Sequence, residues 1–232
     1  MQQIALDIGL PTVPTLAGFW PGSNADALSH LRLWAESASI STRAPVPTYL
    51  WGESGSGKTH LLKAVQEALH AQGSRCGFLG ADSDRTPPEF DERWDCVLMD
   101  DVQLYDEQVQ HAAFKWFVNA LTPSDARPRW VVAAGSLPPA DLPLREDLRT
   151  RLGWGHVFHL QVPNEAERRA VLRQAADGRG LFLGDDVMDF MLSRFSRDLG
   201  SLMELLEKLD SYALRTQRAL TIPLVRAMLE NE

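Results

Sequence analysis

Residues 52–59, Gly-Glu-Ser-Gly-Ser-Gly-Lys-Thr, constrain this chain more than any other segment. They follow the apolar run Tyr49-Leu50-Trp51 and open a stretch with Leu61, Leu62 and Val65 at helical spacing, so they read as a glycine-rich turn between a strand and a helix. Glycines in that setting let consecutive backbone N–H groups turn inward, and the helix N-terminus adds a field that favours anions. The result is a cradle for phosphate oxygens, in which Lys58 reaches the β and γ oxygens and Thr59 can ligate Mg2+. The cofactor-binding set is therefore Gly52, Gly55, Ser56, Gly57, Lys58, Thr59 and the adjoining His60, and the expected occupant is ADP or ATP with Mg2+. No histidine among His60, His70 and His111 has metal-ligand spacing.

Around this turn, strand-like and helical runs alternate. Strands are expected at 48–51, 76–79, 95–99, 130–134 and 156–162, with helices beginning at Lys58 and Gln108 between them. Such alternation predicts an α/β fold, a five-stranded parallel sheet flanked by helices. Before it, Asn24 is placed as the N-cap of a short helix carrying Ala27, Leu28, Leu31 and Trp34. After Pro163 the strand pattern stops. Asn164 with Glu167 forms a capping pair for a helix over 166–176, Leu199, Leu202, Leu206, Leu209 and Ala213 recur every three or four residues, and Pro223 begins a last short helix. The expected organisation is an extended arm over 1–15, a nucleotide-binding α/β domain over 16–163 and a small helical domain over 164–232.

At 232 residues the chain is long enough for two such units. Its 23 basic and 31 acidic residues give a net charge of -8, which lacks the general positive field that duplex DNA attracts. Cys76 and Cys96 fall in apolar strands and read as small buried hydrophobes. No leader opens the chain and no apolar run approaches the roughly 18 residues of a membrane span, so a cytoplasmic protein is expected.

Further chemistry is grouped at strand ends. Asp95-Cys-Val-Leu-Met-Asp100-Asp101 is an apolar strand closing on two carboxylates, which is also how a solvated acidic turn looks. The phosphate-binding loop upstream favours the functional reading, with Asp100 beside the metal and Asp101 orienting the attacking water. Ser136, after Val131-Val132-Ala133-Ala134-Gly135, reads either as a γ-phosphate sensor or as a turn before Pro138-Pro139. The segment 144–152 packs Arg145, Arg149 and Arg151 together, either as solvated helix charge or as a source of an arginine for spread phosphoryl charge. Arg197 precedes the last long helix and is either a surface residue or a further cofactor-binding one that reaches back to the nucleotide and reports its state.

Taken in order, the glycine-rich loop, Asp100-Asp101, Ser136, Leu148-Arg149-Thr150-Arg151-Leu152 and Arg197-Asp198-Leu199 resemble the AAA+ P-loop NTPases, and within them the branch that contains the replication initiator DnaA. The resemblance runs from about Leu16 to the C-terminus and implies a helical lid for the second domain. Two departures stand out: Ser136 is where relatives often carry Asp, and the second-sensor motif reads Leu199-Gly-Ser-Leu202. Within the branch, Asp-Leu-Arg-Thr-Arg-Leu-Gly-Trp-Gly at 147–155 is similar to the short homologues that promote regulatory inactivation of the initiator. That likeness places an arginine finger, acting in trans, on Arg151. Gln3-Ile4-Ala5-Leu6-Asp7-Ile8 resembles the hexapeptide that binds the DNA polymerase III β sliding clamp, with Gln3, Ile4, Leu6 and Ile8 as its contacts, although an ordinary first strand would share the alternation. A sequence-reading DNA domain is not expected after the lid.

The resemblance implies regulatory inactivation of DnaA. The partners would be DnaA, the DNA-loaded clamp and further copies of this chain, with DNA met through the clamp. Its own ATPase would be weak and its main role the activation of ATP hydrolysis on DnaA. A different class shares the loop and the paired aspartates, the helicase loaders and transposition regulators that remodel a DNA-bound partner. Salt-dependent affinity for single-stranded DNA would mark that class.

Overall fold

The computed structural model describes residues 13–35, 46–81, 87–123, 125, 127, 129–194, 199–216 and 219–230. They divide into two compact units that part at Val162 and Pro163.

In the first unit five strands form one parallel sheet: β1 Thr48–Trp51, β2 Cys76–Leu79, β3 Cys96–Met99, β4 Trp130–Gly135 and β5 His156–His159, in the spatial order β2-β3-β4-β1-β5. β4 inserts between β1 and β3, with Trp51 opposite Gly135 and Met99 opposite Ala133. All six residues of β4 are buried, as expected of a strand covered on both faces, and none is charged.

Period-two alternation sorts the sheet's side chains between two cores. Leu50, Leu98, Val132 and Ala134 pack against α1 Ala25–Ala35 and α2 Lys58–His70, through Leu28, Leu31, Leu61, Leu62 and Val65. Tyr49, Val97, Met99, Val131 and Ala133 face the other way, onto α3 Glu107–Leu121 and α4 Glu146–Leu152. Each fully buried leucine or phenylalanine contributes roughly 1.5–3 kcal/mol relative to exposure, so the two cores hold the helices more firmly than helix propensity does. Asp106 caps α3 by accepting from the Val109 N–H. The two thiols lie in register on neighbouring strands, Cys76 opposite Cys96, and burial pushes the Cys96 thiol up.

One expected cap is corrected. Asn24 ends a 3-10 turn over Gly22–Asn24, and its side chain pairs with the backbone of Gln161, donating to the carbonyl at 3.0 Å and accepting from the N–H at 2.8 Å. A connection across 137 residues that satisfies a donor and an acceptor leaving β5 outweighs a local cap. The expected fifth strand is also shorter, because its pairing with β1 ends at His159.

The second unit is helical: α5 Glu165–Gly178, α6 Asp185–Arg194, α7 Leu199–Thr216 and α8 Ile222–Glu230. The capping pair forms as expected, with Asn164 accepting from the Glu167 N–H and Glu167 accepting from the Asn164 N–H. Leu172, Val187, Met188, Leu202, Leu206, Leu209 and Val225 make its core. Among the described residues no helix is long and apolar enough to cross a membrane.

His30, on α1, shares a 2.9 Å hydrogen bond with the Thr48 hydroxyl, and its pKa is pushed down to about 4 by burial first and by His156 second. An unfolded chain takes up that proton near pH 6.5, so between about pH 6.5 and 4 the unfolded state binds more protons and gains on the folded one. The urea midpoint should therefore fall as the pH is lowered through that window, and His30→Gln should flatten this part of the curve. An unchanged slope would assign the pH dependence to other groups.

Candidate functional site

Three strand ends converge because β4 lies between β1 and β3. The glycine-rich loop leaves β1 at Gly52, the paired aspartates leave β3 at Asp100, and Ser136 leaves β4, with the Gly52 N–H donating to the Gly135 carbonyl at 3.3 Å. At Gly57 the backbone has a φ of 91°, and a Cβ there would come within 2.7 Å of the Phe19 ring. That conformation turns the chain into α2 and leaves no room for a side chain.

Lys58 is buried, and its ammonium donates to the carbonyls of Gly52 at 2.8 Å and Glu53 at 2.9 Å and, at 3.4 Å, to the Ser56 hydroxyl. Burial pushes its pKa down, against the opposing pull of Asp101 and Asp100. Asp100 is also buried, and burial pushes its carboxyl up, while a hydrogen bond from Thr59 and the charge of Lys58 work the other way. Thus Thr59 and Asp100, the two expected metal ligands, are close enough for the threonine hydroxyl to act on the carboxyl, next to a buried ammonium. Oxygen donors of this kind suit Mg2+, which commonly keeps only one or two protein ligands and fills its shell with phosphate oxygens and water. Among the described residues no group of three or more His, Cys, Asp or Glu side chains is placed to cage a metal.

Asp101 holds φ 50° and ψ 43°, the only non-glycine positive φ among the described residues. Its N–H donates to Asp100 Oδ1 at 3.0 Å, and its own Oδ1 accepts from Gln103 Nε2 at 3.1 Å. Gln103 Oε1 in turn accepts from the Ser136 N–H at 2.9 Å. Ser136 is therefore brought to the site as expected, and the tie is made by its backbone.

His60 lies on α2 with its ring centroid 5.7 Å from that of Phe19. Among the described residues its buried Nε2 has no hydrogen-bond partner, and burial holds its pKa down.

The arginine segment forms a separate cluster. Arg145 pairs with Asp147 at 2.8 Å. Arg151 has its guanidinium carbon 4.9 Å from the Phe114 ring centroid and 5.0 Å from that of Trp154, so it sits between an α3 ring and one just beyond α4. Trp154 is 60% exposed. A second glutamine, Gln110, accepts from the Arg145 N–H at 3.0 Å and donates to the Tyr105 carbonyl at 2.9 Å. Arg197 and the segment Gln3, Ile4, Leu6 and Ile8 lie outside the described residues.

Sequence reasoning missed Gln103, Gln110, Phe114 and the stacking of Arg151 on Trp154. Gln103 follows Asp101 by two residues, which was the available signal, whereas the aromatic pair around Arg151 is assembled across two helices.

The bacterial DnaA ATPase domain matches residues 19–159, and the lid domain of Hda matches residues 165–229. Domain III of the replication initiation protein DnaA from Thermotoga maritima superimposes with a TM-score of 0.73 at 20% identity, over 95% of this chain and 97% of that one. AMPPCP-bound DnaA from Aquifex aeolicus gives a TM-score of 0.64 at 20% identity, covering 83% of this chain and 64% of that one. A RuvB variant from Thermotoga maritima gives 0.63 at 17% identity, over 94% and 72% of the two chains. At such identities the superpositions speak for the fold, while the matched domains carry the family. With a DnaA ATPase domain over more than half its length and an Hda lid after it, the chain belongs to the DnaA-related AAA+ family, close to Hda.

Proposed function

We propose that this chain is a nucleotide-bound regulator that inactivates the replication initiator DnaA by speeding hydrolysis of the ATP that DnaA holds. In this reading residues 16–163 bind ADP or ATP, residues 164–232 form the lid, and Arg197 carries the nucleotide's state to it. The arm over 1–15 docks on the DNA-loaded β sliding clamp through Gln3, Ile4, Leu6 and Ile8, which brings the protein to the replisome, in one or more copies.

Support for nucleotide comes from the loop itself. A buried ammonium held by neutral oxygens, beside glycines with positive φ, fits the charge and shape of a polyphosphate, and Thr59 and Asp100 would hold Mg2+ between them. The metal's contribution is to neutralise phosphate charge; placing the phosphates falls to Lys58 and the loop, and orienting a water falls to Asp101.

Arg151 carries the finger reading. Its guanidinium is stacked between two aromatic rings, and among the described residues no carboxylate pairs with it, in contrast with Arg145 on the same segment. A cation stacked on rings is held in place yet keeps its N–H fork free for phosphate oxygens on another molecule. Arginine fingers given in trans are worth roughly 10³–10⁵ in rate in GTPase examples, enough to act as a switch.

Two outcomes are expected. Lys58→Ala should weaken binding of a fluorescent ADP analogue by roughly 10- to 100-fold, the size of a charge-assisted hydrogen bond or two; equal affinity would remove the phosphate role of the loop. In single-turnover hydrolysis of DnaA-bound ATP with DNA-loaded clamp, the intact protein should stimulate. Arg151→Ala should lose about 100-fold or more of that stimulation, and deletion of residues 1–8 should abolish its clamp dependence. Absence of stimulation, together with ATP hydrolysis driven by single-stranded DNA, would replace this reading with a remodelling ATPase.

A further inference from the structure

Gln103 is bonded on both sides of its carboxamide, and the bonds fix which way it faces. The Ser136 N–H can only donate, so the carbonyl oxygen must meet it, at 2.9 Å; the NH2 group is then turned to Asp101 Oδ1, at 3.1 Å, and a carboxylate can only accept. A flipped amide would set two donors together at one end and two acceptors at the other. Gly135 makes room for this bridge: a Cβ there would lie 3.0 Å from Gln103 Oε1 and 2.4 Å from the Tyr49 hydroxyl. The Tyr49 hydroxyl is itself fixed, donating to the Leu137 carbonyl at 2.7 Å. Bonds therefore reach the β4 end from two sides, through Ser136 and through Leu137.

Asp101 needs such support. Its left-handed backbone is uncommon for a residue with a side chain and persists where neighbours hold it. The Gln103 amide is the side-chain donor that the structure provides to its carboxylate.

Resting on the nucleotide-binding reading, we propose that Gln103 is the positioning residue of this site: its amide aims the Asp101 carboxylate at the attacking water and locks it to the β4 end through the Ser136 backbone. Asp101 then works at one fixed orientation relative to β4, and the β4 end takes part by way of its N–H. In the hydrolysis concerned, the oxygen of water bonds to the γ-phosphorus of ATP as the bond to the β,γ-bridging oxygen breaks. ADP and inorganic phosphate leave, and the water's proton passes to solvent.

The test compares the full chain with Gln103→Leu and Gln103→Glu, using a fluorescent ADP analogue for affinity, single-turnover release of labelled phosphate from Mg2+-ATP for rate, and amide hydrogen exchange at Ser136. Gln103→Leu is expected to bind nucleotide within about threefold of the parent, to hydrolyse roughly 10- to 100-fold more slowly, and to exchange the Ser136 amide about tenfold faster for loss of one hydrogen bond. Gln103→Glu keeps the acceptor for Ser136 and loses the donor to Asp101. Its exchange should match the parent, while its rate relative to the parent should recover as the pH falls and its carboxyl takes up a proton that it can donate. Equal hydrolysis in Gln103→Leu, a pH-independent ratio in Gln103→Glu, or unchanged Ser136 exchange in Gln103→Leu would each overturn the proposal. Hydrolysis is followed with protein in excess over labelled ATP and for hours, so that a slow parent turnover is still read. Failure of the parent to bind nucleotide would instead overturn the reading on which the proposal rests.

Discussion

Everything chemical in the first unit depends on one placement, β4 between β1 and β3. Parallel strands with hydrogen bonds on both edges end together, and each end releases its chain into a loop at the same side of the sheet. The predominantly apolar side chains of β4 make that central position favourable, and the one polar group among them, the Trp130 indole N–H, is satisfied by the Thr48 hydroxyl at 3.3 Å. From this one choice follow the neighbourhood of Gly52 and Gly135, the access of Lys58 to the loop carbonyls, and the reach of Gln103 from the aspartate turn to Ser136. The site is therefore a property of sheet order, to which side chains add charge and direction.

The electrostatics show the same economy. The aspartates act on Lys58, and Lys58 and Asp101 act on Asp100, yet burial is the larger influence on both Lys58 and Asp100 and works against charge on each. A buried cation beside one buried and one half-buried acid keeps its charge only by hydrogen bonding and mutual attraction. Among the described residues, the core of the helical unit is assembled from leucine, valine, methionine and alanine.

Local signals carried most of the fold from the sequence. The strand, glycine-rich turn and helix at 48–70, the run ending in Asp100-Asp101 and the Asn164–Glu167 capping pair are each written within about twenty consecutive residues, and each was legible. What escaped was made by contacts between distant segments. Asn24 looked like a cap because the residues after it are helical, but Gln161 lies 137 positions away and claims its amide. Arg129, only 3% exposed, is bound by Asp125 and by the carbonyls of Trp94 and Glu92 at the start of β4, although nothing in its neighbours announces a buried arginine. Arg151 was legible as a candidate from the resemblance, in a motif that includes Trp154, whereas Phe114 and the stacking on both rings were not, since a helix pattern says which face is apolar and not which cation will lie upon it.

The stacking of Arg151 on Trp154 has an optical side. Of the chain's seven tryptophans, Trp116 and Trp130 are sealed in the cores, while Trp154, at 60% exposed, is open to water and to soluble quenchers. An indole with a guanidinium against one face has its excited state tied to that cation's position. On the proposed finger role, departure of the arginine from the ring for a phosphate on another molecule should change the colour and yield of light from Trp154, so the same stacking would serve as a native fluorescent gauge of that step.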